Sequence, residues 1–368
     1  MKYTLYNKYR PVLDFHVENN RITKILKVHN IDYAPLWVSV ARRTKYCSVL
    51  SAMQDWVYYR QMPDYRKHSS MILRHVNAKN SCELTFRHYG VTMSDQYWFK
   101  PDNEPYLTWD AVNFFTNPQP ECGFLIETPF TGNYATPSNT TDGMLEKEWI
   151  DHKLYKRGYT SWNQEPANEY IASRIAEAMN LPCVRYDVVT YNYKPASVCQ
   201  PMVDENEEYI SAWQIMATKR KPNHVNDLEQ YISILEEHNV PDARRQVEGM
   251  FYLDKLLMNI DRHMNNFGVI RDVDTLEWVR ICPIFDTGEC LNAVVRDSLL
   301  NFHDDYGKYF TNTHKLFSKY PIKRPEGIPD LTPFVEEYRQ ALSKYSNCTR
   351  ERINKLVEGL AYRIDHCV

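Results

Sequence analysis

The sequence predicts an α+β chain of more than one domain: a mixed N-terminal region, a strand-rich middle and a mostly helical C-terminal part. Three observations carry this. The chain has 368 residues, against a typical domain of roughly 150. Its composition changes abruptly over Thr128 to Gly143, a stretch of Thr, Pro, Gly, Asn and Ser with little to bury except Phe130 and Tyr134. Beyond that stretch the apolar spacing runs strand, helix, strands, helices, whereas residues 1 to about 125 mix both periods.

In the N-terminal region, Val12 to Val17 alternates as a strand does, and Asn19-Asn20 then marks a turn. Ser48 to Met62 reads as a helix through Leu50, Met53 and Val57, with Pro63 ending it. Asp64 is placed to cap a second helix reaching about Val76. Ser94 to Pro101 and Trp109 to Phe115 are aromatic-rich; they serve either a core or a partner-binding surface. After the linker, Trp149 to Lys156 reads as a strand running into Arg157-Gly158. Glu165 to Met179 is helical, with Pro166 suited to the first turn and Ala167, Tyr170, Ile171, Ile175 and Ala178 on one face. Cys183 to Tyr191 and Ala196 to Val203 read as strands around a turn at Asn192 to Pro195. Asp204 to Glu208 is an acidic run expected to be a solvated loop. Ala243 to Asn259 is helical through Val247, Met250, Phe251, Leu253 and Leu257. Pro333 to His366 reads as two helices.

The net charge of −3 argues against a chain built to coat nucleic acid. At 43% hydrophobic and 25% charged residues, wholesale disorder is excluded. The N-terminus has no apolar segment behind its charges, and no run of about 18 apolar residues occurs. A cytoplasmic protein with no membrane partner is the expectation. The nine cysteines (47, 82, 122, 183, 199, 282, 290, 348 and 367) contain no C-x-x-C pair, so reduced thiols are expected.

The chemistry concentrates in Asn259-Ile260-Asp261-Arg262-His263-Met264-Asn265-Asn266-Phe267-Gly268. A helix ends, a polar loop follows and a strand begins. A second strand, Trp278 to Phe285, after a turn near Asp272 to Asp274, delivers Asp286-Thr287-Gly288. A hairpin therefore returns Asp286 towards Asp261 and Asn266. Phosphoryl transfer needs such parts: an acceptor for the nucleophile's proton, which Asp261 fits, and hard oxygen ligands for Mg²⁺, which Asp286 and the Asn266 amide supply. The glycine after Asp286 suggests a tight turn close to metal and phosphates.

On these residues the chain resembles the protein-kinase-like fold. Its D-R-H-x-x-N loop and later D-x-G are most similar to HipA-like serine/threonine kinases, known from bacterial toxin–antitoxin systems. Phosphoinositide kinases share the loop, but Asp142 to Trp149, Leu154 to Gly158 and Glu165 to Ser173 resemble the HipA-like phosphate loop, nucleotide lysine and N-E helix. The resemblance spans about residues 130 to 350. It implies a bilobal fold: an accessory region at 1–125, a small lobe at 126–205 and a large lobe with the catalytic loop and D-T-G at 206–368.

The resemblance further implies that Lys156 reaches the phosphates of ATP and that Glu169 pairs with it; Lys153 is the rival lysine. Thr140 to Gly143, with Thr141 and Gly143 as the contacting residues, takes the place of the phosphate-cradling loop, although it has one glycine where the family has several. Ser138, Thr140 and Thr141 are candidate autophosphorylation positions. Adenine is expected against Cys199 to Val203, with Met202 as the contact. His263 either bonds the loop backbone or acts in catalysis, and Arg262 either neutralises a phosphate or pairs with an acid. Asp286-Thr287-Gly288 lacks the Phe of D-F-G, so no switch built on an aromatic plug is expected. The activity implied is ATP- and Mg²⁺-dependent transfer to a Ser or Thr hydroxyl of a protein, with an antitoxin or other regulatory protein as a further partner. The alternatives are a small-molecule or lipid kinase and a non-catalytic nucleotide-binding module.

Overall fold

A computed structural model describes residues 1–44, 46–118, 137–139, 145–304, 306–310, 315–316 and 322–367. The chain divides into two compact units. One comprises Met1–Leu154 with Val203–Ile210 and Arg271–Glu277; the other comprises Tyr155–Met202, Ser211–Ile270 and Trp278–Val368.

The first unit contains β1 (Lys2–Asn7), β2 (Arg10–Glu18), β3 (Arg21–Val28), α1 (Leu36–Thr44), α2 (Val49–Tyr58), α3 (Ser69–His75), α4 (Ser81–Arg87), β4 (Tyr97–Pro101), α5 (Trp109–Val112) and β5 (Lys147–Ile150). The antiparallel sheet runs β3-β2-β1-β4. Asn19 and Asn20, both left-handed at φ 50° and 62°, make the turn between β2 and β3; asparagine tolerates that conformation better than most residues. Phe15 and Phe99 meet edge-on at 5.6 Å and Trp56 and Tyr97 at 5.4 Å, so the aromatic run before Pro101 is core. Ser48 caps α2 by accepting from the Ser51 amide. That helix stops at Tyr58, earlier than expected. The next begins at Ser69, not beside Asp64, whose carbonyl instead accepts the Ser69 hydroxyl. Glu208, expected in a solvated loop, is buried and accepts from Arg271 at 2.6 Å.

The second unit takes up the chain within β6 (Lys153–Lys156) and continues with α6 (Glu165–Ala178), β7 (Tyr186–Tyr191) and β8 (Lys194–Cys199). After β9 (Glu207–Ser211) come α7 (Ala212–Ala217), α8 (Asp227–Glu237), α9 (Ala243–Leu257), β10 (Gly268–Asp272), β11 (Trp278–Ile281), α10 (Pro333–Tyr345) and α11 (Arg350–His366). The strand expected from Trp149 to Lys156 is broken by left-handed Asp151 and His152, at φ 47° and 61°. Strand β8 lies between β6 and β7, and Asn192 and Tyr193 make the β7–β8 turn. Helix α9 buries Val247, Met250, Phe251, Leu253 and Leu257, and ends at left-handed Met258. Strand β11 is shorter than expected. It stops before Pro283, which has no amide to donate, and Ile284 instead bridges in parallel to Cys183.

Candidate functional site

Three neighbouring strands and one helix build a buried charge cluster inside the second unit. Lys156, the last residue of β6, is 5% exposed, whereas Lys153 is exposed. Its Nζ donates to Glu169 Oε1 at 2.8 Å, to Asp286 Oδ1 at 3.1 Å and to the Tyr186 hydroxyl at 3.4 Å. Glu169 lies on the second turn of α6 and is 1% exposed. Its other oxygen accepts the hydroxyl of Ser197 from β8. Burial alone would pull the Lys156 ammonium down, but the carboxylates of Asp286 and Glu169 outweigh it and hold the group well above its ordinary value. This lysine is therefore charged and fixed in place by two acids, 13 and 130 residues further along the chain.

The D-R-H-x-x-N loop is stapled from beneath. Asp254, on the apolar face of α9, accepts from Arg262 Nε at 2.9 Å and from Arg262 Nη2 at 3.1 Å. It also accepts from Asn259 Nδ2 at 2.7 Å. Arg262 is fully buried, and its Nη1 donates to two carbonyls, Asn266 and Phe285, both at 2.7 Å. Of the two roles open to Arg262, the structure gives it the acid partner. That one guanidinium nitrogen ties the end of the loop to the residue before Asp286. Asn266 donates Nδ2 to the Asp261 carbonyl at 2.9 Å. His263 Nδ1 accepts from the Asn265 amide at 3.3 Å, and its Nε2 stands 3.8 Å from Asp261 Oδ2.

The D-T-G segment differs from the expectation in one respect. The left-handed residue is Asp286 itself, at φ 55°. Gly288 serves close packing instead: a Cβ there would stand 3.3 Å from Glu165 Cβ on α6. Asn168, fully buried on α6, donates to the carbonyls of Gly288 at 2.9 Å and Cys290 at 2.7 Å. The helix that carries Glu169 thus also clamps the segment that carries Asp286.

Two further groups gather at Asp261. Lys308 Nζ donates to Asp261 Oδ1 at 2.5 Å. Glu289 accepts from the Tyr159 hydroxyl at 3.1 Å, and its backbone carbonyl accepts the Ile260 amide at 3.3 Å. Burial first, and then the nearby charge of Asp261, push the Glu289 carboxyl up to about 7. Neither Lys308 nor Glu289 stands out in the sequence. Asp254, by contrast, has a sequence signal: an acid among the apolar residues of one helix face needs a buried partner.

Met202 follows β8, with its sulfur 3.6 Å from the Cys282 thiol. Thr140, Thr141 and Gly143 lie outside the described residues. Ser138 is fully buried; its hydroxyl accepts the Trp149 amide at 2.9 Å, and its carbonyl accepts from Arg66.

No protein-family model matches the chain. The serine/threonine-protein kinase CtkA of Helicobacter pylori is 27% identical over 130 residues, which is 34% of this chain and 40% of that relative's length. The crystal structure of a Helicobacter pylori proinflammatory kinase CtkA matches 60% of this chain and 91% of its own, at 18% identity and a TM-score of 0.44. HipA of Shewanella oneidensis, solved with HipB and operator DNA, matches 99% of this chain and 96% of its own, at 10% identity and a TM-score of 0.53. That likeness of fold runs over the N-terminal region as well as the segments whose motifs carry the resemblance. The chain is thus similar over part of its length to a serine/threonine-protein kinase and shares the fold of HipA; it spans less than half the length of the curated relative it matches.

Proposed function

We propose that this chain is an ATP- and Mg²⁺-dependent kinase that transfers the γ-phosphoryl group to a Ser or Thr hydroxyl of a protein. The observation that carries the reading is the placement of the Lys156 ammonium between Glu169 and Asp286, at 2.8 and 3.1 Å. A buried lysine held by two acids gains nothing in stability over an apolar cluster, so its presence points to a use. In this reading Lys156 binds phosphate oxygens and Glu169 keeps it in place. Asp286 and the Asn266 amide oxygen would hold Mg²⁺, which favours oxygen donors and is usually completed by water and substrate phosphates. The donor set fits that ion: one carboxylate, one amide oxygen, and no sulfur or imidazole. When bound, the metal supplies neutralisation of developing phosphate charge.

Asp261 orients the acceptor hydroxyl and takes its proton. The acceptor oxygen bonds to the γ-phosphorus, the bond from that phosphorus to the bridging oxygen breaks, and ADP leaves. His263, bonded to the loop backbone, holds the loop's shape. Met202 would line the adenine side, and Thr141 and Gly143 the phosphate side. Residues 126–205 and 206–368 would act as small and large lobes, with 1–125 as an accessory region. A regulatory protein partner is part of the proposal, since the Shewanella neighbour was solved with one.

Asp261→Ala tests the reading. It is expected to abolish phosphoryl transfer while Mg·ATP still raises the melting temperature, because a ligand of the folded state stabilises it. A variant with full transfer activity would refute the assignment. Separation of labelled protein from labelled metabolites in a lysate decides between a protein and a small-molecule acceptor.

A further inference from the structure

The D-R-H-x-x-N loop has a shortage of positive charge. Its one arginine is spent on Asp254 and two backbone carbonyls, and Lys156 serves the nucleotide side. Around Asp261, by contrast, acids accumulate: the charges of both Asp261 and Asp286 act on Glu289. A triphosphate and an acceptor oxygen brought beside these carboxylates would meet repulsion unless a cation stood there.

Lys308 is that cation. Its Nζ lies 2.5 Å from Asp261 Oδ1, and the two side chains are similarly shielded, at 24% and 23% exposure. Nor is Lys308 a loose surface lysine. Tyr309, 1% exposed, packs edge-on against Phe251 of α9 at 4.6 Å. Phe310 packs against Phe251 at 5.7 Å, Phe267 at 5.5 Å and Tyr231 at 5.7 Å. Gly307 lies under the Tyr309 ring, where a Cβ would come within 2.8 Å of it. Phe267 directly follows Asn266 and Phe251 lies on the helix that holds Asp254, so the backbone of Lys308 is anchored to the platform that carries the loop. We propose that Lys308, resting on the kinase reading above, is a positioning residue for phosphoryl transfer: it fixes the Asp261 carboxylate and offsets the acidic charge on the acceptor side.

Lys308 makes and breaks no covalent bond in this scheme. The acceptor proton goes to Asp261, the phosphorus changes oxygen partners and ADP departs, while the ammonium holds its neighbour still and lowers the repulsion. Loss of such positioning acts on turnover and not on nucleotide binding, and misplacements of about 1 Å can cost on the order of a hundredfold.

The test measures ADP formation from ATP and Mg²⁺ by the full chain, with its own hydroxyls and water as acceptors. Lys308→Met should lower kcat by roughly ten- to a hundredfold while KM for ATP stays within about twofold. The melting temperature should hold, and Lys308→Arg should recover most of the rate. A kcat unchanged in Lys308→Met, a rise in KM alone, or a faster variant, which would make Lys308 an inhibitory latch, each overturns the inference but leaves the kinase reading standing. If Lys308→Met does not fold, Lys308→Gln and Lys308→Arg carry the comparison: equal rates in these two overturn it as well. No ADP from the wild-type chain refutes both.

Discussion

Glu169→Ala separates a structural ion pair from a catalytic one. Glu169 is 1% exposed and gives one oxygen to Lys156 and the other to the Ser197 hydroxyl. Breaking a buried pair by removing one partner usually costs about 3–5 kcal/mol, because the survivor is left uncompensated. Here the Lys156 ammonium keeps Asp286 at 3.1 Å, so the lower end applies, about 3 kcal/mol. At roughly 2–4 °C per kcal/mol for a unit of this size, the melting temperature should drop by several degrees. Glu169→Gln keeps hydrogen bonds to both partners and should cost less. Lys156, held from one side only, should also bind Mg·ATP more weakly. Thermal unfolding and calorimetric ATP titration read the two effects together. A Glu169→Ala variant that keeps both its melting temperature and its ATP affinity would refute the reasoning.

Arg262→Met leaves the Asp254 carboxylate buried without its cation and should destabilise the chain by about 3–5 kcal/mol; an unchanged urea midpoint would contradict the stapling role. Glu289 gives a pH signature in the nucleotide-free protein. Its folded pKa is raised to about 7 from 4.5, so between those values the folded chain keeps a proton that the unfolded chain has lost. Its contribution to stability is full below about pH 4.5 and is lost as pH rises towards 7. Glu289→Gln should flatten that slope, and equal slopes in the two proteins would refute it.

Local chemistry made much of the second unit legible in advance. Helix α6 announced itself through Pro166 and its apolar spacing, and α9, α10 and α11 through their periodicity. The Asn192 turn and the polar loop after α9 are equally plain; the order of loop, hairpin and D-T-G singles out Asp261, Asn266 and Asp286, whereas Lys156 and Glu169 are singled out by the family resemblance alone. What escaped depends on partners far away in sequence or on backbone choices without a composition signal. Asp151 and His152 turn the chain left-handed with no glycine or asparagine to announce it. Glu208 sits in an acidic run that reads as solvated, yet it is buried against partners far off in sequence, among them Arg271, 63 residues later. Lys308 reaches Asp261 across 47 residues. Gly288 looks in sequence like a turn glycine, because its role, making room for α6, belongs to tertiary packing.

The central claim is that one carboxylate, one amide oxygen and one buried lysine converge on a nucleotide and its metal. A crystal structure with Mg²⁺ and a non-hydrolysable ATP analogue tests it most directly. The account predicts the metal on Asp286 and Asn266 and a phosphate oxygen within hydrogen-bond distance of Lys156 Nζ. A nucleotide bound elsewhere, with Lys156 still closed on its two acids, would contradict it.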